Sequence, residues 1–117
     1  MITVDIPRPP SVNRLVGKLG NVSPRVVRWH EQADKHVLLQ RLKPHLLTIS
    51  GPFDLAVVFP EYRFGEFDLD NPLKPLLDWM QSREFVVNDR WCRHLDVAWG
   101  FAPEGCRIRV KPWEASA

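Results

Sequence analysis

Three aspartates and a lysine lie near one another in the chain and could form a metal-dependent catalytic site. Asp68 and Asp70 are two residues apart, and residues i and i+2 of an extended segment point to the same side. Lys74 follows about one helical turn later and could reach back over the same space. Asp89 follows a short apolar pair, and a sheet could bring it alongside. The spacing therefore predicts that these four side chains share one site.

A cluster of carboxylates requires a cation at neutral pH. Two unit charges about 4 Å apart repel each other by about 4 kcal/mol at an effective dielectric of about 20. A few hard oxygen ligands suit Mg²⁺ or Mn²⁺, which keep several bound waters. Such a metal can activate water and stabilise the charge that develops in phosphodiester hydrolysis. Lys74 could contact the scissile phosphate or orient the attacking water.

Plainer explanations of the same residues remain open. An Asp-x-Asp segment before a helix is usually a turn followed by an N-cap. Asp78 lies four residues after Lys74, so an ion pair on the helix surface is its expected role. The sequence has no Cys/His set suited to zinc and no glycine-rich loop for nucleotide phosphates, so we expect no nucleotide cofactor.

Charge is unevenly distributed along the chain, although the net charge is only +2. Residues 1–50 carry eight Lys and Arg against three Asp and Glu, whereas residues 51–89 carry three against eight. A basic half beside an acidic cluster suits a nuclease, which holds cations between protein and phosphate. Two solvated faces of opposite sign would give the same numbers. The candidate phosphate-binding residues, which are otherwise solvated loop residues, are Arg8, Asn13, Arg14 and Lys18.

Hydrophobic periodicity predicts the elements that position these residues. Residues 2–6 alternate as a strand, and residues 52–60 form an apolar run typical of a buried strand. Helical spacing predicts a first helix over residues 24–43, capped by Ser23 and ended by Pro44. The residues expected on its inner face are Val26, Val27, His30, Ala33, Val37, Leu38 and Leu42.

The second half of the chain completes the predicted fold. A second helix is expected to start at Asn71 and Pro72, with Asn71 as its N-cap. Residues 92–99 and 106–110 alternate and predict a hairpin that closes the sheet. We therefore expect a single α+β domain over residues 1–117, with a mixed sheet of about four strands packed by two helices.

Composition bounds the cellular setting. The sequence has no apolar run of about 18 residues and no basic segment followed by an apolar one at its start, so neither a membrane span nor a secretory signal is expected. Cys92 and Cys106 show no metal-binding or redox spacing. A disulfide between them looks improbable, and a reducing cytoplasm is the expected compartment. Trp79, Trp91, Trp99 and Trp113 are expected in the core or in dimer contacts.

The acidic segment resembles the signature of the RusA family of Holliday junction resolvases. The matching residues are Asp68-Leu69-Asp70-Asn71, Lys74, Leu77-Asp78 and Asp89. Pro9-Pro10-Ser11-Val12-Asn13 resembles the N-terminal motif of that family. The resemblance extends from about residue 3 to residue 111.

The resemblance implies a homodimeric, Mg²⁺-dependent endonuclease of bacterial or prophage origin that acts in DNA recombination and repair. Its members cut paired strands of a four-way junction symmetrically. Asp68, Asp70 and Asp89 would be the metal ligands, with Lys74 as the catalytic lysine. Mn²⁺ is expected to substitute for Mg²⁺. A two-fold dimer would place two metal sites on opposing strands of a two-fold junction.

Two other functions remain open from the sequence. Asn88 stands where the family often has a second acid, so the chain could bind branched DNA and cleave it poorly. Alternatively, the same chemistry could act on other branched or flapped DNA.

Overall fold

Four strands form one mixed sheet in the computed structural model, which describes residues 1–10, 24–61, 69 and 72–114. The strands are β1 (Ile2–Ile6), β2 (Phe53–Phe59), β3 (Cys92–Trp99) and β4 (Cys106–Pro112), in the order β1-β4-β2-β3. β2 and β3 are parallel, and the other neighbours are antiparallel. Two helices, α1 (Pro24–Leu39) and α2 (Leu73–Ser82), confirm the predicted α+β fold. Two short 3₁₀ helices span Pro44–Leu46 and Asp89–Trp91.

The core lies between the helices and one face of the sheet. Alternate residues of β1, β2 and β4 are buried there, as the period of two in a strand requires. Trp79 of α2 is fully buried, and its ring lies 5.6 Å from that of Trp29 and 5.3 Å from that of Phe85. Each large side chain buried in this way contributes about 1.5–3 kcal/mol to folding.

The predicted hairpin between the last two strands is wrong. β4 lies between β1 and β2, and β3 instead pairs with β2 on the far side. Parallel pairing requires a crossover, which α2 supplies. The inner residues of β4 are Cys106, Ile108 and Val110, and all are at most 1% exposed, whereas β3 has no fully buried residue. The central position of β4 therefore buries one whole face of that strand.

Helix α1 ends at Leu39, four residues earlier than predicted. Arg41 adopts a left-handed φ of 57°. Its N–H donates to Leu38 O, and the Leu42 N–H donates to Val37 O. These two bonds form the Schellman motif that terminates a helix. Glycine usually takes this position, so an arginine there carries no local signal that the helix ends before Pro44.

The inner face of α1 is also rotated from the predicted one. The helix residues that are buried are Val26, Trp29, Ala33 and Val37. Val27 is 48% exposed and Leu38 is 74% exposed. Trp29, whose position the periodicity left unassigned, brings the largest apolar surface, so the stripe centres on it.

Both cysteines are free, and burial raises the pKa of the Cys106 thiol. Among the described residues, neither helix combines the length and hydropathy that a bilayer span needs.

Candidate active site

Helix α2 presents Lys74 at its second position. Pro72 occupies the N-cap position without a side-chain cap, and the Leu76 N–H donates to Pro72 O. Pro75 is therefore the third helical residue, where a backbone N–H has no partner within the helix. This position removes the difficulty that a proline inside the helix would otherwise create. The predicted N-cap, Asn71, lies outside the described residues.

The chain returns from the end of α2 to place Asp89 beside the same helix. Glu84, with a φ of 66°, ends α2 in a second Schellman motif. Phe85 and Val86 are then buried at 1% exposure, and an isolated parallel bridge joins Val86 to Ile49. These contacts fix the path from α2 to Asp89.

Two amide side chains position Asp89 itself. Gln81 Oε1 of α2 accepts a hydrogen bond from the Asp89 N–H at 2.9 Å. Asn88 Oδ1 accepts one from the Arg90 N–H at 3.0 Å and so caps the short helix that Asp89 begins. The sequence reasoning missed Gln81, although Lys74, Asp78 and Gln81 recur at i, i+4 and i+7, on one helical face.

Lys74 lies between two carboxylates. Its Nζ is 2.9 Å from Asp78 Oδ1 and 3.5 Å from Asp89 Oδ2. The hydrogen bond to Asp78 and the charge of that carboxylate raise the pKa of Lys74, and Asp89 adds to this. The ammonium is therefore charged at neutral pH. The predicted ion pair between Lys74 and Asp78 is confirmed, and Lys74 and Asp89, fifteen residues apart, share one space.

Two of the three predicted metal ligands, Asp68 and Asp70, lie outside the described residues. Leu69, between them in sequence, packs against the core. Within the described part of the chain, no group of three His, Cys, Asp or Glu side chains could hold a metal ion. Asp89 belongs to that part of the chain, whereas its two predicted partners do not.

A basic depression of 250 Å³ lies where β1 leads into the segment before α1. Arg8 lines it together with Pro9, Pro10, Arg25, Arg28, Trp29 and Gln32. Trp29 Nε1 donates to Pro7 O at 2.8 Å and holds this segment against α1. Gly105 approaches from the other side with a φ of 119°, and a Cβ there would lie 2.8 Å from the Arg8 N atom. The other predicted phosphate-binding residues, Asn13, Arg14 and Lys18, lie outside the described residues.

The basic depression and the Lys74–Asp89 pair lie at the same end of the helical layer. Trp29 of α1 contacts Trp79 of α2, and further along both helices Asp34 of α1 contacts Arg83 at the end of α2. The helices therefore run in the same direction. Arg25 and Arg28 precede Trp29 as Lys74 precedes Trp79, so the first turns of both helices lie at one end.

Comparison with known proteins adds no assignment: no protein-family model matches the chain, and no curated protein matches it.

Proposed function

We propose that this chain is a Mg²⁺-dependent endodeoxyribonuclease that resolves four-way DNA junctions in recombination and repair. The observation that supports this most directly is the 3.5 Å approach of Lys74 Nζ to Asp89 Oδ2. A catalytic lysine and a metal-binding aspartate from separate segments must meet if the resemblance to the RusA family holds. The two residues do so through the fold and not through sequence proximity.

The carboxylate of Asp89 fits a metal ligand. Its side chain is 29% exposed, and among the described residues Lys74 is the only side chain that forms an ion pair with it. Hard carboxylate oxygens of this kind suit Mg²⁺. With Asp68 and Asp70, Asp89 would hold the ion, which when bound lowers the pKa of water and neutralises phosphate charge.

Lys74 would act on the substrate phosphate directly. Its side chain is 64% exposed and carries a full charge, so it can turn from the carboxylates to a phosphate oxygen. Asp78 and Asp89 hold the ammonium beside the proposed metal ligand before DNA binds, so a rotation of the exposed side chain would bring it to the phosphate.

The basic depression would bind the DNA backbone beside the cleavage site. Guanidinium groups pair with phosphate oxygens in two-point contacts, and Arg8, Arg25 and Arg28 all line this depression. Asn13, Arg14 and Lys18 would extend this contact. The protein would act as a homodimer and without a nucleotide cofactor. It would act in the cytoplasm of a bacterium and be encoded by that bacterium or by a phage.

A junction-cleavage assay tests the proposal. The purified chain should nick a mobile four-way junction in Mg²⁺ or Mn²⁺ and should be silent in EDTA, with linear duplex as the substrate control. Asp70→Asn should retain junction binding and lose cleavage. The matched control is Asp96→Asn, which removes an exposed carboxylate of β3 that is not a proposed ligand. Normal cutting by Asp70→Asn would remove that residue from the site.

One observation favours a second function, a branched-DNA binding module with little cleavage. Asn88, beside Asp89, uses its side-chain oxygen as a helix cap and supplies no second carboxylate. A gel shift of the junction without turnover under any divalent metal would support this function. If cleavage occurs, a panel of flapped and forked substrates separates a junction resolvase from a nuclease for other branched DNA.

A further inference from the structure

A cleft of 370 Å³ lies between the C-terminal ends of the two helices and the 3₁₀ helix that follows α1. We call it the C-terminal cleft, and its apolar wall is formed by Val37, Leu38, Leu42 and Pro44. Pockets that bind organic groups measure about 300–1,000 Å³, and a cavity of about 150 Å³ holds benzene. The cleft therefore has room for about two ring-sized groups.

The fold forms the C-terminal cleft before any partner binds. The left-handed conformation of Arg41 turns the chain back past the end of α1. Thr48, two residues after the 3₁₀ helix, donates from its hydroxyl group to Glu84 O at 2.6 Å, and the Ile49 N–H donates to Phe85 O at 3.0 Å. These two bonds join this segment to the chain at the end of α2. A cleft that is already formed requires little ordering when a partner binds.

Leucines on and beside the cleft are exposed. Leu38, which lines it, is 74% exposed. Leu39 and Leu46, which adjoin lining residues in the sequence, are 78% and 68% exposed. Single exposed leucines are ordinary on a protein surface, but several of them beside a cleft are typical of an interaction surface. A partner that fits this surface therefore brings an apolar side chain.

The polar part of the cleft is basic. Lys43, His45 and Arg83 line it. Asp34 is the one acidic residue of the lining within the described part of the chain, and its carboxylate already accepts hydrogen bonds from Arg83 and Trp79. The cleft thus combines an apolar wall with a positive rim.

The sequence around the cleft reinforces this positive charge. No acidic residue occurs between Asp34 and Asp54, whereas the same stretch contains Lys35, Arg41 and Lys43. Within the described ranges, none of these three cations forms an ion pair. A partner that complements the surface therefore carries negative charge beside its apolar side chain.

We propose that the C-terminal cleft binds a partner protein through an acidic segment that carries a bulky apolar side chain. The apolar side chain packs against Leu38 and Leu42, and the carboxylates pair with Lys43 and its basic neighbours. A two-fold contact with a second copy of this chain would instead set the same basic side chains against one another. DNA would match the positive charge but would give the leucines no apolar side chain to pack against.

The cleft lies at the end of the helical layer opposite to Lys74, because the contact between Asp34 and Arg83 marks the C-terminal end of both helices. A partner in the cleft leaves the proposed DNA-binding face uncovered. The proposal rests on the cleft and not on nuclease activity, so peptide binding and junction cleavage can fail separately.

Fluorescence anisotropy of labelled peptides with the full chain tests the proposal. The peptides carry four aspartates followed by one phenylalanine, leucine or tryptophan, and the control peptide ends in alanine instead. At least one bulky peptide should bind saturably, and the alanine peptide should bind about 10- to 100-fold more weakly because it buries little apolar surface. A short labelled DNA duplex is measured in parallel.

Two exposed substitutions locate the peptide. Leu38→Glu should weaken binding of the bulky peptide about 10- to 100-fold, and Lys43→Glu should weaken it about 2- to 30-fold. The matched controls are Val27→Glu, at an exposed position about three turns earlier on α1, and Arg109→Glu, on the exposed side of β4. Both controls should leave the dissociation constant within about two-fold of the wild-type value.

Three results overturn the proposal. The first is the absence of saturable binding by every bulky peptide at concentrations up to about 1 mM. The second is equal binding of the bulky and alanine peptides, or equal losses in the cleft variants and their controls, since either would reduce the contact to general charge attraction. The third is a DNA duplex that displaces the peptide and loses its own affinity in Leu38→Glu, which would make the cleft a nucleic-acid site.

Discussion

Helix α2 carries a cluster of charged side chains at each end, and the two clusters differ in how fully their carboxylates are satisfied. Near its C-terminal end, Asp34 of α1 accepts two hydrogen bonds from Arg83, at 2.7 and 3.0 Å, and one from Trp79 Nε1 at 3.0 Å. Near its N-terminal end, Lys74 is shared between Asp78 and Asp89, and its 3.5 Å distance to Asp89 exceeds ordinary hydrogen-bond length.

The difference separates a structural cluster from a candidate catalytic one. The Asp34 carboxylate accepts three hydrogen bonds from side chains that hold the two helices together. Among the described residues, only Lys74 pairs with the Asp89 carboxylate, whose backbone is fixed by Gln81, so its oxygens keep positions for a further ligand. We infer that a carboxylate whose backbone is anchored and whose side chain is under-satisfied is the better candidate for metal binding.

The largest expected effect is on catalysis at the cluster of Lys74, Asp78 and Asp89, which we call the open cluster. Lys74→Met should lower junction cleavage by about 10²- to 10³-fold, the usual cost of removing a preorganised charge from a reacting centre. Single-turnover cleavage with saturating protein measures it. The free energy of unfolding should change little, because Lys74 is exposed. If Lys74→Met cleaved the junction at the wild-type rate, the open cluster would have no catalytic role and would not differ in this respect from the cluster around Asp34.

At the cluster of Asp34, Trp79 and Arg83, which we call the satisfied cluster, we expect a loss of stability and no loss of cleavage. Arg83→Met should lower the free energy of unfolding by about 1–2 kcal/mol, because it leaves a partly buried carboxylate with only the Trp79 bond. Solvent reaches both partners and reduces the loss from what full burial would give. Urea denaturation measures the change. An equal loss of cleavage at a temperature where the variant is folded would contradict a purely structural role.

The satisfied cluster should also make stability depend on acid. Burial acts to raise the pKa of Asp34, but hydrogen bonds from Arg83 and Trp79 and the Arg83 charge outweigh it, so the pKa is lowered from 3.8. A lowered folded-state pKa stabilises the fold above the unfolded-state value, and this contribution is lost as pH falls through the folded-state value. The stability advantage over Asp34→Asn should be constant above about pH 5 and shrink below about pH 4. If the stability advantage over Asp34→Asn grew as the pH fell, the pKa of Asp34 would be raised in the folded protein and not lowered.

The smallest effect is expected at Asp78, which belongs to the open cluster but is not a proposed ligand. Asp78→Asn should lower the free energy of unfolding by at most about 0.5 kcal/mol, the value of an exposed i, i+4 pair. Its removal should also lower the raised pKa of Lys74, since Asp78 is the main cause of that rise. Urea denaturation and NMR titration of the lysine measure the two changes. A pKa that does not move would mean that Asp89 dominates the environment of Lys74.

The sequence by itself determined the elements whose signals are local. The strands at 2–6 and 53–59 follow from alternation and from a short apolar run, and the ion pair between Lys74 and Asp78 follows from i, i+4 spacing. The starts of both helices follow from prolines to within about two residues. Each of these signals acts between near neighbours, so it can be identified without knowing the fold.

The tertiary structure decided which segments meet. The alternation of β3 and β4 is similar in the sequence, so it does not show that β4 lies in the centre with one face buried and β3 at the edge. The end of α1 at Arg41 and the reversal at Glu84 carry no glycine signal, since packing of the following residues holds these left-handed conformations. The approach of Asp89 to Lys74 depends on that reversal, on the burial of Phe85 and Val86, and on the Gln81 contact. Residue spacing specified which groups could act together, but long-range burial determined that two of them do lie side by side.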